Sequence, residues 1–184
     1  MVIMINGSFG AGKTTVARLL RSSLRGGAIF DPEWAGLLLM RLPGWVKLKG
    51  SGSDDFQDIE LWRRSAVAGA RLFRLAARGP LIMPMAFSRR DYFAEVSEGI
   101  RRFDPELRAF CLRASLETVR SRLAARGDKT EGPGSEWIAR RIAECVAAHR
   151  EPHFGEPVET EGRTALEVAE EIAERLRQPA TTNV

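Results

Sequence analysis

An α/β domain in which a parallel sheet is sandwiched between helical layers is what this sequence predicts, on three observations. Short apolar runs alternate regularly with stretches of helical periodicity along the whole chain. The first such run feeds a glycine-rich loop, Gly7-Ser8-Phe9-Gly10-Ala11-Gly12-Lys13-Thr14, that opens directly into a helix. The chain has 184 residues, enough for one ordinary core and too few for two domains of typical size.

The elements follow in order. Val2 to Asn6 is apolar and rich in β-branched residues, and from Lys13 to Leu24 the positions Val16, Leu19, Leu20 and Leu24 recur at helical spacing. Gly26-Gly27 breaks that helix, and Ala28 to Phe30 forms a brief strand closed by Asp31-Pro32. Trp34 to Met40 reads as a helix and Pro43 to Ser53 as a loop; a longer helix runs from about Phe56 to Ala77 and ends at Arg78-Gly79-Pro80. Leu81 to Met85 is an uncharged buried strand, Tyr92 to Arg102 a helix, Leu107 to Leu112 a strand. Ser115 can cap a helix over Leu116 to Arg126 that stops at Gly127. Asp128 to Gly134 has no apolar residue and reads as a solvent-facing loop, after which Ser135 caps a helix through Trp137, Ile142 and Val146. Val158 to Thr160 is a last short strand, and Thr164-Ala165-Leu166-Glu167 is a capping box that starts the final helix. Gln178 to Val184 is a polar tail expected to fray.

Composition narrows the functions. Apolar and charged fractions of 44% and 28% are those of a globular protein, with no bilayer-length apolar run and no leader pattern, so the expectation is a cytoplasmic protein with no stable membrane insertion. Cys111 and Cys145 are too few and too far apart for a disulfide framework or a metal knuckle and read as packing residues. Arginine greatly outnumbers lysine, which suits two-point contacts to phosphate, although a solvated basic surface explains it equally. No basic stripe with interleaved aromatics is visible, so nucleic acid is not the expected partner; a small molecule is, bound by a monomer or a homodimer.

The glycine loop carries the chemistry. It matches G-x-x-x-x-G-K-[ST] in a strand-to-helix setting, where glycines let the backbone N–H groups converge on a phosphate and the helix start adds positive potential. Lys13 bridges the β- and γ-oxygens and the Thr14 hydroxyl ligates Mg²⁺. The residues expected to hold ATP are Gly7, Phe9, Gly10, Ala11, Gly12, Lys13, Thr14 and Thr15. A guanine-reading N-K-x-D stretch is absent, which favours ATP, and Leu81 to Met85 ends without an acid, unlike motor-type and AAA-type ATPases and like small-molecule kinases.

Asp31 stands at the end of the second strand, on the edge where open parallel sheets place their ligands. There it can accept a proton from a substrate hydroxyl or hold a metal-bound water, or it can simply start an Asp-Pro turn. Glu33 is a weaker candidate for the same role. Arg122 and Arg126 are i,i+4 neighbours on one helix face, suited to stacking on a base and clamping phosphate if they are not merely solvated. Arg140 and Arg141 return after the polar loop, so residues 127–141 read as a lid that delivers cationic charge, with Arg126 and Arg140 as the catalytic arginines beside Lys13 and Asp31. Residues 32–79 are the expected acceptor-binding insertion, with Asp31, Trp34, Asp55, Gln57, Trp62 and Arg63 as candidate substrate contacts, some of which belong to the core. His149 and His153 have Pro152 between them and do not suggest a metal site.

Together the glycine loop, Asp31-Pro32-Glu33, Asp54-Asp55-Phe56-Gln57, Leu61-Trp62-Arg63, Leu81 to Met85 and Glu117 to Arg126 resemble the tunicamycin-resistance ATP-binding proteins of the TmrB type over nearly the whole chain. More broadly the pattern is similar to the P-loop nucleoside and nucleotide kinases. That resemblance implies a P-loop NTPase fold of the kinase type with a five-stranded parallel sheet in order 2-3-1-4-5, a mobile lid, and ATP contacts from Arg122 and Arg126. It also implies resistance to tunicamycin, a nucleoside antibiotic, either by ATP-dependent phosphorylation of a drug hydroxyl or by ATP-gated sequestration without chemistry. The family's longer basic C-terminal segment has no counterpart after Arg177, so membrane association is not expected.

Overall fold

A computed structural model describes residues 1–32, 56–127 and 136–178. Five parallel strands, β1 (Val2–Gly7), β2 (Ala28–Ile29), β3 (Leu81–Met85), β4 (Arg108–Arg113) and β5 (Glu156–Glu159), form one sheet in the order β2-β3-β1-β4-β5. This is the predicted 2-3-1-4-5 order. The described helices are α1 (Lys13–Ser23), α2 (Glu60–Ala76), α3 (Arg90–Arg101), α4 (Leu116–Ala125), α5 (Glu136–Ala148) and α6 (Ala165–Arg177), with 3-10 turns at Phe56–Asp58 and Pro152–Phe154.

β1 is central and wholly buried, and its alternating side chains divide the core in two. Ile3 and Ile5 point into the layer built by α1 and α6 around Val16, Leu20, Val168 and Ile172. Val2 and Met4 point into the opposite layer, where α2 and α3 supply Trp62, Ala66, Ala70, Phe93, Val96 and Ile100. A third, smaller cluster joins α4 to α5 through Val119, Leu123, Ile142 and Val146.

Several boundaries shift for physical reasons. The helix expected over Phe56 to Ala77 divides into the 3-10 turn and α2, because Ile59 is extended, with φ −80° and ψ 110°, before α2 begins. The last strand runs over Glu156–Glu159 rather than Val158 to Thr160; Pro157 sits within it because β5 is an edge strand, where a missing N–H is tolerated. The Thr164 capping box forms in full, the Glu167 N–H bonding the Thr164 hydroxyl and the Glu167 carboxylate accepting from the Thr164 N–H. The helix expected over Trp34 to Met40 and the loops expected over Pro43 to Ser53 and Asp128 to Gly134 lie outside the described residues. No described helix is long and apolar enough to cross a membrane.

Candidate active site

The phosphate loop lies between the buried end of β1 and the start of α1, at the carboxyl edge of the sheet. Two glycines shape it. Gly10 and Gly12 have φ of 79° and 94°, a left-handed conformation that L side chains rarely adopt. Around them the loop is held by the Ala11 N–H on the Ser8 carbonyl at 3.1 Å and by the Val16 N–H on the Gly12 carbonyl at 2.9 Å. The start of α1 has no side-chain cap and no acid in its first turn, so its positive end is left for an anion.

Lys13 is buried, and its ammonium donates to the Ser8 carbonyl at 2.9 Å while lying 5.6 Å from the centre of the Phe9 ring. Phe9 packs against the α4 and α5 cluster, and a Cβ on Gly10 would lie 2.8 Å from Leu123 Cγ. The loop is thus seated on α4 as well as on the sheet. Thr14 and Thr15 are exposed at the mouth. An open helix start, one ammonium and a free-facing threonine hydroxyl are the donors that a Mg²⁺-polyphosphate requires, so the residues present fit that ligand.

A cavity of about 220 Å³ adjoins the loop, lined by Gly10, Gly12, Thr15, Arg122, Arg126 and Arg163 among others. Arg122 and Arg126, paired from sequence, are both in its wall. The Arg122 guanidinium is engaged with the residue after β5, donating to the Thr160 hydroxyl at 3.0 Å and the Thr160 carbonyl at 2.6 Å. Thr160, Arg163, Ala165 and Val168 complete the wall and were not foreseen. They come from the far end of the chain, and the one available signal was that the loop after the last parallel strand leaves the same carboxyl edge of the sheet as the phosphate loop.

On the other side of the loop, Asn6 near the end of β1 binds both backbone polar groups of Phe87. Its Oδ1 accepts from the Phe87 N–H at 2.8 Å and its Nδ2 donates to the Phe87 carbonyl at 3.2 Å. His149 Nε2 reaches the same carbonyl at 2.6 Å; a carbonyl only accepts, so the ring proton is on Nε2. Burial pulls the His149 pKa down to about 4, against the opposing effect of that bond, and the ring is neutral near pH 7. This network fixes the segment after β3, where Ser88 accepts from Arg141 at 2.9 Å.

The two arginines of α5 diverge. Arg140 is 64% exposed and leans toward Glu144 at 3.7 Å, whereas Arg141 is 12% exposed and points to the β3 end. Of the two, Arg141 is the one turned toward the sheet: consecutive helical residues are about 100° apart, and Arg141 lies one turn before the buried Cys145. Asp31 follows β2 at the carboxyl edge, two residues beyond the Ile29 and Ile82 pairing. Trp34 and Asp55 lie outside the described residues. Gln57 is buried with its amide on the Ala86 carbonyl, and Trp62 is fully buried with its indole N–H on the Pro32 carbonyl, a packing rather than a stacking position. Arg63 is occupied by Glu95 at 2.6 Å and the Gln57 carbonyl at 2.7 Å, and stacks over Tyr92 at 4.1 Å. These three tie α2 and the turn before it to the segments that follow β2 and β3 and to α3.

A family model described as an AAA domain matches residues 2–152. The chain belongs to this AAA domain family. The match agrees with the kinase-like P-loop group read from the sequence, and several of the solved structures that the chain resembles are small-molecule kinases. The tunicamycin resistance protein of Deinococcus radiodurans matches with a TM-score of 0.71 and 26% identity, over 97% of this chain and 96% of that one. This agrees with the resemblance found in the sequence motifs. A sugar kinase of a Janibacter species matches at 0.64 and 18% identity, over 96% and 94% of the two chains. The APS kinase of Mycobacterium tuberculosis, in complex with AMPPNP and APS, matches at 0.66 and 17%, over 96% and 97%. These two establish the kinase-type P-loop fold. No curated protein matches the sequence.

Proposed function

We propose that this protein is an ATP- and Mg²⁺-dependent phosphotransferase that acts on a hydroxyl of a nucleoside-like small molecule, with tunicamycin the first acceptor to test. The observation that carries the reading is the phosphate loop placed between two differently furnished sides. One side has the cavity with Arg122 and Arg126; the other has the segment after β3 with Arg141, and the Asp31 edge. The 26% identity with a tunicamycin resistance protein over almost the full length supports the choice of acceptor.

Mg-ATP supplies the γ-phosphoryl group. In the proposed reaction the acceptor oxygen bonds to phosphorus as the bond from the β,γ-bridging oxygen to phosphorus breaks, and ADP leaves. Asp31 would take the hydroxyl proton, Lys13 would release the Ser8 carbonyl to hold phosphate oxygens, and Thr14 would hold the metal through its hydroxyl. Arg126 and Arg141 neutralise charge that builds on the equatorial oxygens. Residues 32–79 form the acceptor site and 127–141 the lid in this proposal, with Arg141 replacing Arg140 as the cation delivered.

The test is incubation with ATP, Mg²⁺ and tunicamycin, followed by mass spectrometry. A gain of one phosphoryl group is expected, lost in Lys13→Ala through an ATP Kd raised at least about tenfold, or about 1.4 kcal/mol. Asp31→Asn should lose turnover while ATP affinity stays nearly intact. An unmodified drug that binds tightly only when a non-hydrolysable ATP analogue is present would instead establish sequestration.

A further inference from the structure

Away from the phosphate loop, α2 turns an apolar stripe to solvent. Leu61, Leu72 and Leu75 are 45%, 67% and 78% exposed. With Ala68 they line a groove of about 1210 Å³ between α2 and α3. Leu61, Ala68 and Leu75 are spaced by sevens, the period of a seam between two helices packed at a shallow angle. An exposed stripe of this kind is a contact surface in search of a matching one.

The stripe is symmetric about its own midpoint. Ala68 lies halfway from Leu61 to Leu75, and it is small enough for two backbones to approach there. A two-fold axis through Ala68 sets Leu61 opposite Leu75 of a second copy at both ends of the seam, and Leu72 against the alkyl stem of Arg64. Self-complementarity of that kind is the condition for a closed pair.

The charges agree. α2 and α3 run side by side with a constant offset, since Arg63 pairs with Glu95 and Gly99 lies against Val67, where an added Cβ would come within 2.9 Å. Glu98 thus stands level with residue 66 of α2. The same axis brings Arg71 of the second copy level with residue 65, an offset along the helix axis of one residue's rise, about 1.5 Å. Among the described residues neither Arg71 nor Glu98 has an ion-pair partner within the chain. On that arrangement the two-fold axis would generate two such pairs.

We infer that the protein forms a two-fold homodimer through antiparallel packing of α2 on α2, centred on Ala68 and closed by Arg71 and Glu98 in trans. Sedimentation equilibrium of the full chain should show a dimer by about 100 µM, within reach of an interface of ordinary size. Leu72→Glu should make it monomeric without altering its circular dichroism or melting temperature, the site being exposed. Arg71→Glu and Glu98→Arg should each weaken the dimer about tenfold or more, and the two together should restore it. A monomer at every concentration, a dimer indifferent to Leu72→Glu, or a double variant no better than the single ones overturns the inference. These readouts do not depend on nucleotide or acceptor, so failure here leaves the proposed reaction standing, and the reverse.

Discussion

Gly10 and Gly12 separate two reasons for a glycine. Both have positive φ, but a Cβ at Gly12 meets nothing within 4 Å, whereas one at Gly10 would strike Leu123 Cγ at 2.8 Å and approach the Val119 carbonyl at 3.1 Å. Gly12→Ala should therefore cost only the backbone conformation, about 1–2 kcal/mol, and Gly10→Ala more, because α4 must also move. Thermal unfolding of the two variants checks the ranking, and only Gly10→Ala should disturb the Phe9 packing. His149 gives a pH signature. Its folded pKa of about 4 lies below the unfolded value near 6.5, so between those limits the unfolded chain binds a proton that the folded one refuses. Stability should fall as pH drops through that window, by up to roughly 1.4 kcal/mol per unit from this residue. Urea unfolding at several pH values should show His149→Gln with a shallower acid dependence than the parent chain.

At the scale of elements, the start of α6 and the clasp between α4 and the residue after β5 do different work. Thr164→Ala removes one arm of the capping box and should cost about 1 kcal/mol in denaturant melts, with little effect on nucleotide affinity. Arg122→Ala frees Thr160 and one wall of the 220 Å³ cavity, so it should raise the KM for ATP more than it lowers kcat. The capping box and the phosphate loop were both legible in the sequence, because each is a local pattern whose residues bond within a few positions of one another. The Arg122 to Thr160 clasp was not, since its partners are 38 residues apart and neither position is unusual alone. The inward turn of Arg141 could have been found. It lies one turn before the buried Cys145, at the border of the buried stripe, while Arg140 falls on the opposite side.

For the molecule as a whole, strand order and the division of the core by β1 follow from alternation and family pattern, and the sequence carried both. What it could not carry was convergence: Asn6, Phe87 and His149 meet behind the phosphate loop only because β1, the end of β3 and the end of α5 are brought to one corner. The outer strands have a further consequence. β2 has two residues, and β5 has four with a proline among them, so each border of the sheet is too short, or too poor in N–H donors, to template another strand. Growth of the sheet by lateral addition is thereby discouraged at both margins. Among the described elements, the helical faces are then what is left for any self-association.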